Sequence, residues 1–315
     1  MFDTQKIDRK RVGIFLAIAF GISWATGLAI YLRGGLDGSP ELVQDSGITE
    51  AFVLLATAYM FAPAIGHILT RLITREGWQD IWLRYNFRQG WPYWLIAWFG
   101  TPILIAVGAL LYFVLFPQHF DANFETIISL IEESGLSLEE LPYSPAVLAA
   151  IQIFQGILIA PIANLIPVFG EEFGWRAYLL PKLVPLGERQ AYLLTGLIWG
   201  VWHAPVILMG YNYGMDYPGA PWAGALLFIY ISFVLGTFFG WLSLRGKSVW
   251  PAVIGHAVLN GTASAAALFT LEGANPLIGP MMVGVIGSLG FTLMAVWIFL
   301  RGVPDQNEAE TADQS

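Results

Sequence analysis

Two adjacent carboxylates, Glu171 and Glu172, share the run Gly170-Glu171-Glu172-Phe173-Gly174-Trp175-Arg176 with an arginine, inside an otherwise apolar stretch. An ionised group at bilayer depth costs about 3 kcal/mol or more, so its presence asks for a use. On a helix Glu172 and Arg176 are four residues apart and share a face, which predicts an ion pair. Glu171 then points about 100° away and is left for another role. Two of the four histidines also sit deep in apolar runs beside polar or aromatic neighbours: His203 four residues after Trp199, and His256 four residues before Asn260. A carboxylate in such a site can take a proton from water. Neutral imidazoles can bind a divalent metal, or donate to the oxyanion formed when water attacks an amide. Both routes lead to hydrolysis. The spacing is not that of a His-Glu-x-x-His zinc peptidase, so a metal would be gathered from three helices rather than one. His67 and His119 lack comparable company and are expected to stand apart from the chemistry.

The elements that must position these groups follow from composition. Of 315 residues, 56% are apolar and only 12% charged, which excludes a soluble globule and describes an all-α polytopic integral membrane protein. Apolar runs lie at about 12–32, 51–70, 92–116, 146–180, 191–209, 222–244, 249–270 and 277–300, giving eight expected transmembrane helices. The fourth is too long for one straight span, and Pro161 and Pro167 are expected to break it. The loops test this count. Lys6, Arg9, Lys10, Arg11, Arg71, Arg75, Arg84, Arg88, Lys182, Arg189, Arg245, Lys247 and Arg301 all fall on the side of the N-terminus, and Arg33 alone falls on the other. The long loop before the fourth run carries Asp121, Glu125, Glu132, Glu133, Glu139 and Glu140 without a base. Basic residues collect in cytoplasmic loops, so both termini are expected to be cytoplasmic.

Residues 1–301 read as a single transmembrane domain with its motif-bearing core at about 146–265, and 302–315 as a polar, disordered tail. The chain has no cysteine, which rules out disulfides and thiolate chemistry. No basic tract alternates with aromatics, so nothing supports nucleic-acid binding. The expected partners are membrane lipids and a membrane-associated peptide or protein. The expected setting is the cell membrane, with the site towards its cytoplasmic half.

The three motifs together resemble the CAAX protease and bacteriocin-processing (CPBP or Abi) family of intramembrane proteases, related to the type II CAAX prenyl endopeptidases. That family has a Glu-Glu-x-x-x-Arg run, an aromatic four residues before a histidine, and a His-x-x-x-Asn or Asp run; here these are Glu171-Glu172 with Arg176, Trp199 with His203, and His256 with Asn260. Trp199 stands where the family usually has Phe, and Ala177 where a glycine often follows the arginine. The resemblance implies an intramembrane endopeptidase acting on a membrane-anchored or lipidated substrate. Glu171 would activate water, Glu172 and Arg176 would support the site, and His203, His256 and Asn260 would bind metal or stabilise the oxyanion. It also implies a divalent metal, zinc, held by Glu171, His203 and His256, while a metal-free glutamate mechanism is proposed for the same family. From other classes, a proton- or metal-coupled transporter and a non-catalytic immunity or scaffold protein are the alternatives to test.

Overall fold

The computed structural model describes residues 7–43, 46–138 and 141–303. Lys6, Glu139 and Glu140 lie outside the described residues, as does the expected tail from 304 onward. Among the described residues there are no strands, only isolated bridges between Glu41 and Thr49 and between Phe120 and Thr270.

The chain runs through α1 (Arg9–Leu32), α2 (Glu50–Thr74) and α3 (Phe87–Leu115), then a short α4 (Glu125–Glu133) in the connecting loop. There follow α5 (Pro145–Leu158), α6 (Leu165–Gly174), α7 (Glu188–Trp202), α8 (Trp222–Gly246), α9 (Trp250–Thr262) and α10 (Leu289–Gly302). Starts are capped by side chains that satisfy free backbone N–H groups: Asp8 accepts from Arg11, Thr49 from Phe52 and Ser144 from Val147.

Five of these helices are long and apolar enough to cross a membrane, α1, α2, α3, α8 and α9 with its extension to Phe269. The other three expected spans are shorter or broken, for local reasons. In the fourth, helix stops after Leu158, a single turn spans Ala160–Ala163, and α6 begins at Leu165. Pro161 has no N–H to give the Ile157 carbonyl, which instead accepts from the Trp98 indole at 2.8 Å. In the fifth, α7 stops at Trp202, just before Pro205; the Trp202 carbonyl accepts from Tyr59 at 2.6 Å and Trp24 at 3.2 Å. The eighth, expected over 277–300, is helical only from Leu289. Gly279-Pro280, Gly284 and Gly287 occupy its first part, which runs as turns.

The core is built around the crossing of α7 and α8. A β-carbon added at Gly200 would sit 2.7 Å from the Ile229 α-carbon, so the two backbones touch there. Trp175, Trp199, Trp202, Phe238 and Phe239 fill the space beside them.

Candidate active site

α6 brings the two carboxylates against α2. A β-carbon at Gly170 would lie 2.9 Å from the Met60 carbonyl oxygen, so any larger residue would push α6 away. Past Gly174 the helix opens into a wide π-turn over Trp175–Leu179, a distortion that recurs at functional sites. The turn still lets Arg176 reach back to Glu172.

That pairing is as expected. Arg176 Nη1 donates to Glu172 Oε1 at 2.7 Å, with both side chains fully buried. The same oxygen accepts from His256 Nδ1 at 2.8 Å. The guanidinium lies 4.5 Å from the Trp199 ring and 5.5 Å from that of Phe239, a cation–π setting for its buried charge. Arg176 and His256 thus both hold Glu172 through its Oε1.

Glu171 faces elsewhere. Its Oε2 accepts from the Trp199 indole Nε1 at 2.8 Å, and the residue lines a cavity of about 150 Å³. Trp199, His203, His256 and Asn260 line it as well. The Trp199 ring stands between the two imidazoles, 5.2 Å from His203 and 5.4 Å from His256. All seven motif residues therefore gather in one place, Glu171, Trp199, His203, His256 and Asn260 in the cavity wall and Glu172 and Arg176 immediately behind it.

The hydrogen bonds also settle which ring nitrogens carry protons. His203 Nδ1 lies 2.8 Å from the Trp199 carbonyl, an acceptor only, so Nδ1 is the donor. His256 Nδ1 likewise donates to a carboxylate. When neutral, both rings keep a bare Nε2 lone pair. Metal-ligating histidines are oriented in this way by a carbonyl or carboxylate. The grouping is looser than that of a metal centre, however: among the described residues no three His, Asp or Glu are close enough together to hold an ion.

The rest of the wall was not foreseen. Leu55, Tyr59 and Met60 come from α2, Phe228 from α8, Tyr211 and Asn212 from the loop after α7, and Met282 and Val283 from the turns before α10. Trp199 is also more than a wall, because its indole N–H holds Glu171. His67 stays out of the cavity but is not isolated. Its Nδ1 bonds the Phe173 carbonyl at 2.8 Å and its Nε2 accepts from Arg71 at 2.7 Å, tying α2 to the turn that carries the glutamates. The four-residue spacing of His67 and Arg71 is the signal that would have found this contact. His119 pairs with Tyr112 outside the cavity wall.

Residues 150–262 match the family model described as Type II CAAX prenyl endopeptidase Rce1-like. That region is similar to the Rce1-like family. Over 93 residues the chain is 31% identical to the CAAX prenyl protease 2 of Methanococcus maripaludis. The alignment covers 29% of this chain and 34% of that relative, so the chain spans about a third of the curated protein it matches. The Rce1-like region contains Glu171, Glu172, Arg176, Trp199, His203, His256 and Asn260, and leaves out α2 and the turns before α10, which supply Leu55, Tyr59, Met60, Met282 and Val283 to the cavity wall.

Proposed function

We propose that the protein is an intramembrane endopeptidase that hydrolyses a peptide bond of a membrane-associated or lipidated substrate, with Glu171 as general base. One observation carries this reading: of two adjacent glutamates, one is neutralised by an arginine and a histidine while the other is turned into a cavity, its carboxylate held by a single indole N–H. Glu171 accepts a proton from a water seated between it and the scissile carbonyl. The water oxygen attacks the carbonyl carbon, and the proton passes from Glu171 to the departing amine as the C–N bond breaks. The Asn260 amide is a donor in any protonation state and suits the oxyanion. His203 and His256 would orient the water through their Nε2 lone pairs, or donate to the oxyanion once protonated. Glu172 and Arg176 fix His256. Lipid is kept away by the aromatic and aliphatic wall, as an amide hydrolysis inside a membrane requires.

Zinc or another divalent ion, were Glu171, His203 and His256 to hold it, would supply Lewis-acid activation of the water, but among the described residues these groups are not gathered closely enough to form a metal centre. Every step above is carried by the chain's own groups. The reading also includes eight crossings of the cell membrane with both termini in the cytoplasm, supported by the charge asymmetry of the loops.

The test is Glu171→Gln in detergent with a cleavable membrane-anchored peptide. The amide keeps the shape and an acceptor for Trp199, so the variant should stay folded and lose cleavage. Wild-type turnover by this variant would end the assignment.

A further inference from the structure

The Trp202 carbonyl, where α7 ends, is held by two helices that lie outside the Rce1-like region. Its helical partner one turn on would be the Val206 N–H, but that group bonds the His203 carbonyl at 3.1 Å. Both lone pairs of the freed oxygen are taken from elsewhere: Tyr59 Oη on α2 donates to it at 2.6 Å and Trp24 Nε1 on α1 at 3.2 Å. The Trp202 indole in turn donates to Ser23 Oγ on α1 at 2.6 Å, and Ser23 Oγ donates to the Tyr59 carbonyl at 3.2 Å. Tyr59, Trp202 and Ser23 thus close a circuit of hydrogen bonds between α1, α2 and α7, and all three residues are buried. A buried network whose members are all satisfied is rigid.

Local structure brings Tyr59 to this place. α2 widens into a π-turn over Leu55–Tyr59, the same distortion that follows the two glutamates on α6. Leu55 and Tyr59, at the two ends of the turn, both line the cavity. Beside it α1 and the chain after α7 come close: a β-carbon added at Gly27 would sit 2.9 Å from the Pro205 β-carbon and 3.6 Å from the Tyr59 ring. The Tyr59 ring lies 4.6 Å from that of Trp202, which lies 4.7 Å from the His203 imidazole.

The peptide unit that Tyr59 grips is the one joining Trp202 to His203. A peptide unit is planar, so fixing its oxygen also fixes its N–H, which belongs to His203, and the His203 α-carbon. That N–H meets the Trp199 and Gly200 carbonyls at 3.3 and 3.2 Å, while His203 Nδ1 meets the Trp199 carbonyl at 2.8 Å. We infer that Tyr59 is a positioning residue for His203: through the Trp202 carbonyl its hydroxyl holds the end of α7 so that the imidazole keeps Nδ1 on the Trp199 carbonyl and Nε2 free in the cavity that Glu171 shares. The hold on His203 stands by itself; its use in catalysis rests on the hydrolytic reading.

Tyr59→Phe removes only the hydroxyl, and Trp24 still serves the Trp202 carbonyl, so the variant should fold with a melting temperature close to that of the wild type. With isotopically labelled histidine, nitrogen NMR in detergent reads the His203 ring directly, its signals assigned by substituting each of the four histidines in turn. The wild type should show one protonated and one bare ring nitrogen, far apart in chemical shift. In Tyr59→Phe the two signals should draw together as the ring samples both tautomers. Trp24→Phe leaves the closed circuit intact and should move them less. Unchanged His203 signals in Tyr59→Phe, a larger change in Trp24→Phe, or a Tyr59→Phe protein that does not fold would each overturn the inference. In cleavage of a membrane-anchored peptide, kcat of Tyr59→Phe should fall about tenfold with KM unchanged, as for a misplaced catalytic group. A rise in KM at constant kcat would instead make Tyr59 a substrate contact and end the positioning role. The spectrum needs no turnover, so the two readings fail separately. Altered His203 signals without Glu171-dependent cleavage sink the hydrolytic reading alone; Glu171-dependent cleavage with unaltered signals sinks the role of Tyr59 alone.

Discussion

Glu171 and Glu172 are neighbours of the same type, equally buried, yet they meet opposite fates. Glu172 is placed by one helical step beside Arg176 and His256, and becomes part of the scaffold. Glu171, one step round, faces a cavity and is held by the Trp199 N–H alone. The difference teaches that the environment on each face, rather than burial, decides which carboxylate is available for proton transfer.

The largest expected effect separates the two by activity. Removing a general base typically costs 10²–10⁴-fold, so Glu171→Gln should lower kcat by roughly 10³-fold with an unchanged melting temperature, read by peptide cleavage and thermal unfolding in detergent. Glu172→Gln should do the reverse in kind. It leaves the buried Arg176 charge without its partner, which typically costs about 3–5 kcal/mol of stability. A double variant that also removes the charge, Glu172→Gln with Arg176→Met, should recover part of that loss, because replacing both members of a buried pair is often near neutral. Equal stability of the single and double variants would show that Glu172 is not the counterion the geometry makes it.

Trp199→Phe sharpens the contrast at smaller scale. It keeps an aromatic face for Arg176 and packing between His203 and His256, but deletes the hydrogen bond to Glu171. A bond to a charged group is worth about 1.5–3 kcal/mol, so kcat should fall on the order of tenfold to a hundredfold with KM little changed. A rise in KM at constant kcat would mean that Trp199 contacts substrate instead of setting the base.

How much of this was legible in the sequence depended on whether a residue was conspicuous in lipid. Charged and imidazole groups inside apolar runs are rare, and the four-residue spacing put Glu172 on Arg176 correctly; Pro161 likewise announced the break in the fourth span. The apolar wall was not legible. Leu55, Phe228, Met282 and Val283 look like any lipid-facing residue, because hydropathy is blind to whether an apolar side chain meets a lipid tail or a cavity. The eighth run was misread in length for a related reason. Its mean hydropathy is high, but Gly279-Pro280 and the glycines at 284 and 287 keep its first part from forming helix.

A third glutamate extends the comparison to the edge of the bundle, where the expected effect is smallest. Glu76 follows α2 and accepts from Lys182 and from Tyr178, the latter at 2.9 Å. Burial pushes its carboxyl up, but the hydrogen bonds from Lys182 and Tyr178 and the charges of Lys182 and Arg71 outweigh this and hold it below the usual carboxylate range. A carboxyl depressed in the folded state contributes stability that is fully present above its unfolded value and is lost as pH falls through the folded one. Unfolding measured from pH 7 downward should therefore show stability draining away from about the ordinary carboxylate value of 4.5 and below, with Glu76→Gln flattening that part of the profile. The side chain is at the water edge, so the change should be modest. Cleavage should survive Glu76→Gln at pH 7, since the residue holds α1, α2 and the turn after Arg176 together and touches nothing in the cavity. Loss of cleavage with stability intact would place Glu76 with Glu171 rather than with Glu172, and would break the division between scaffold and reactive carboxylates.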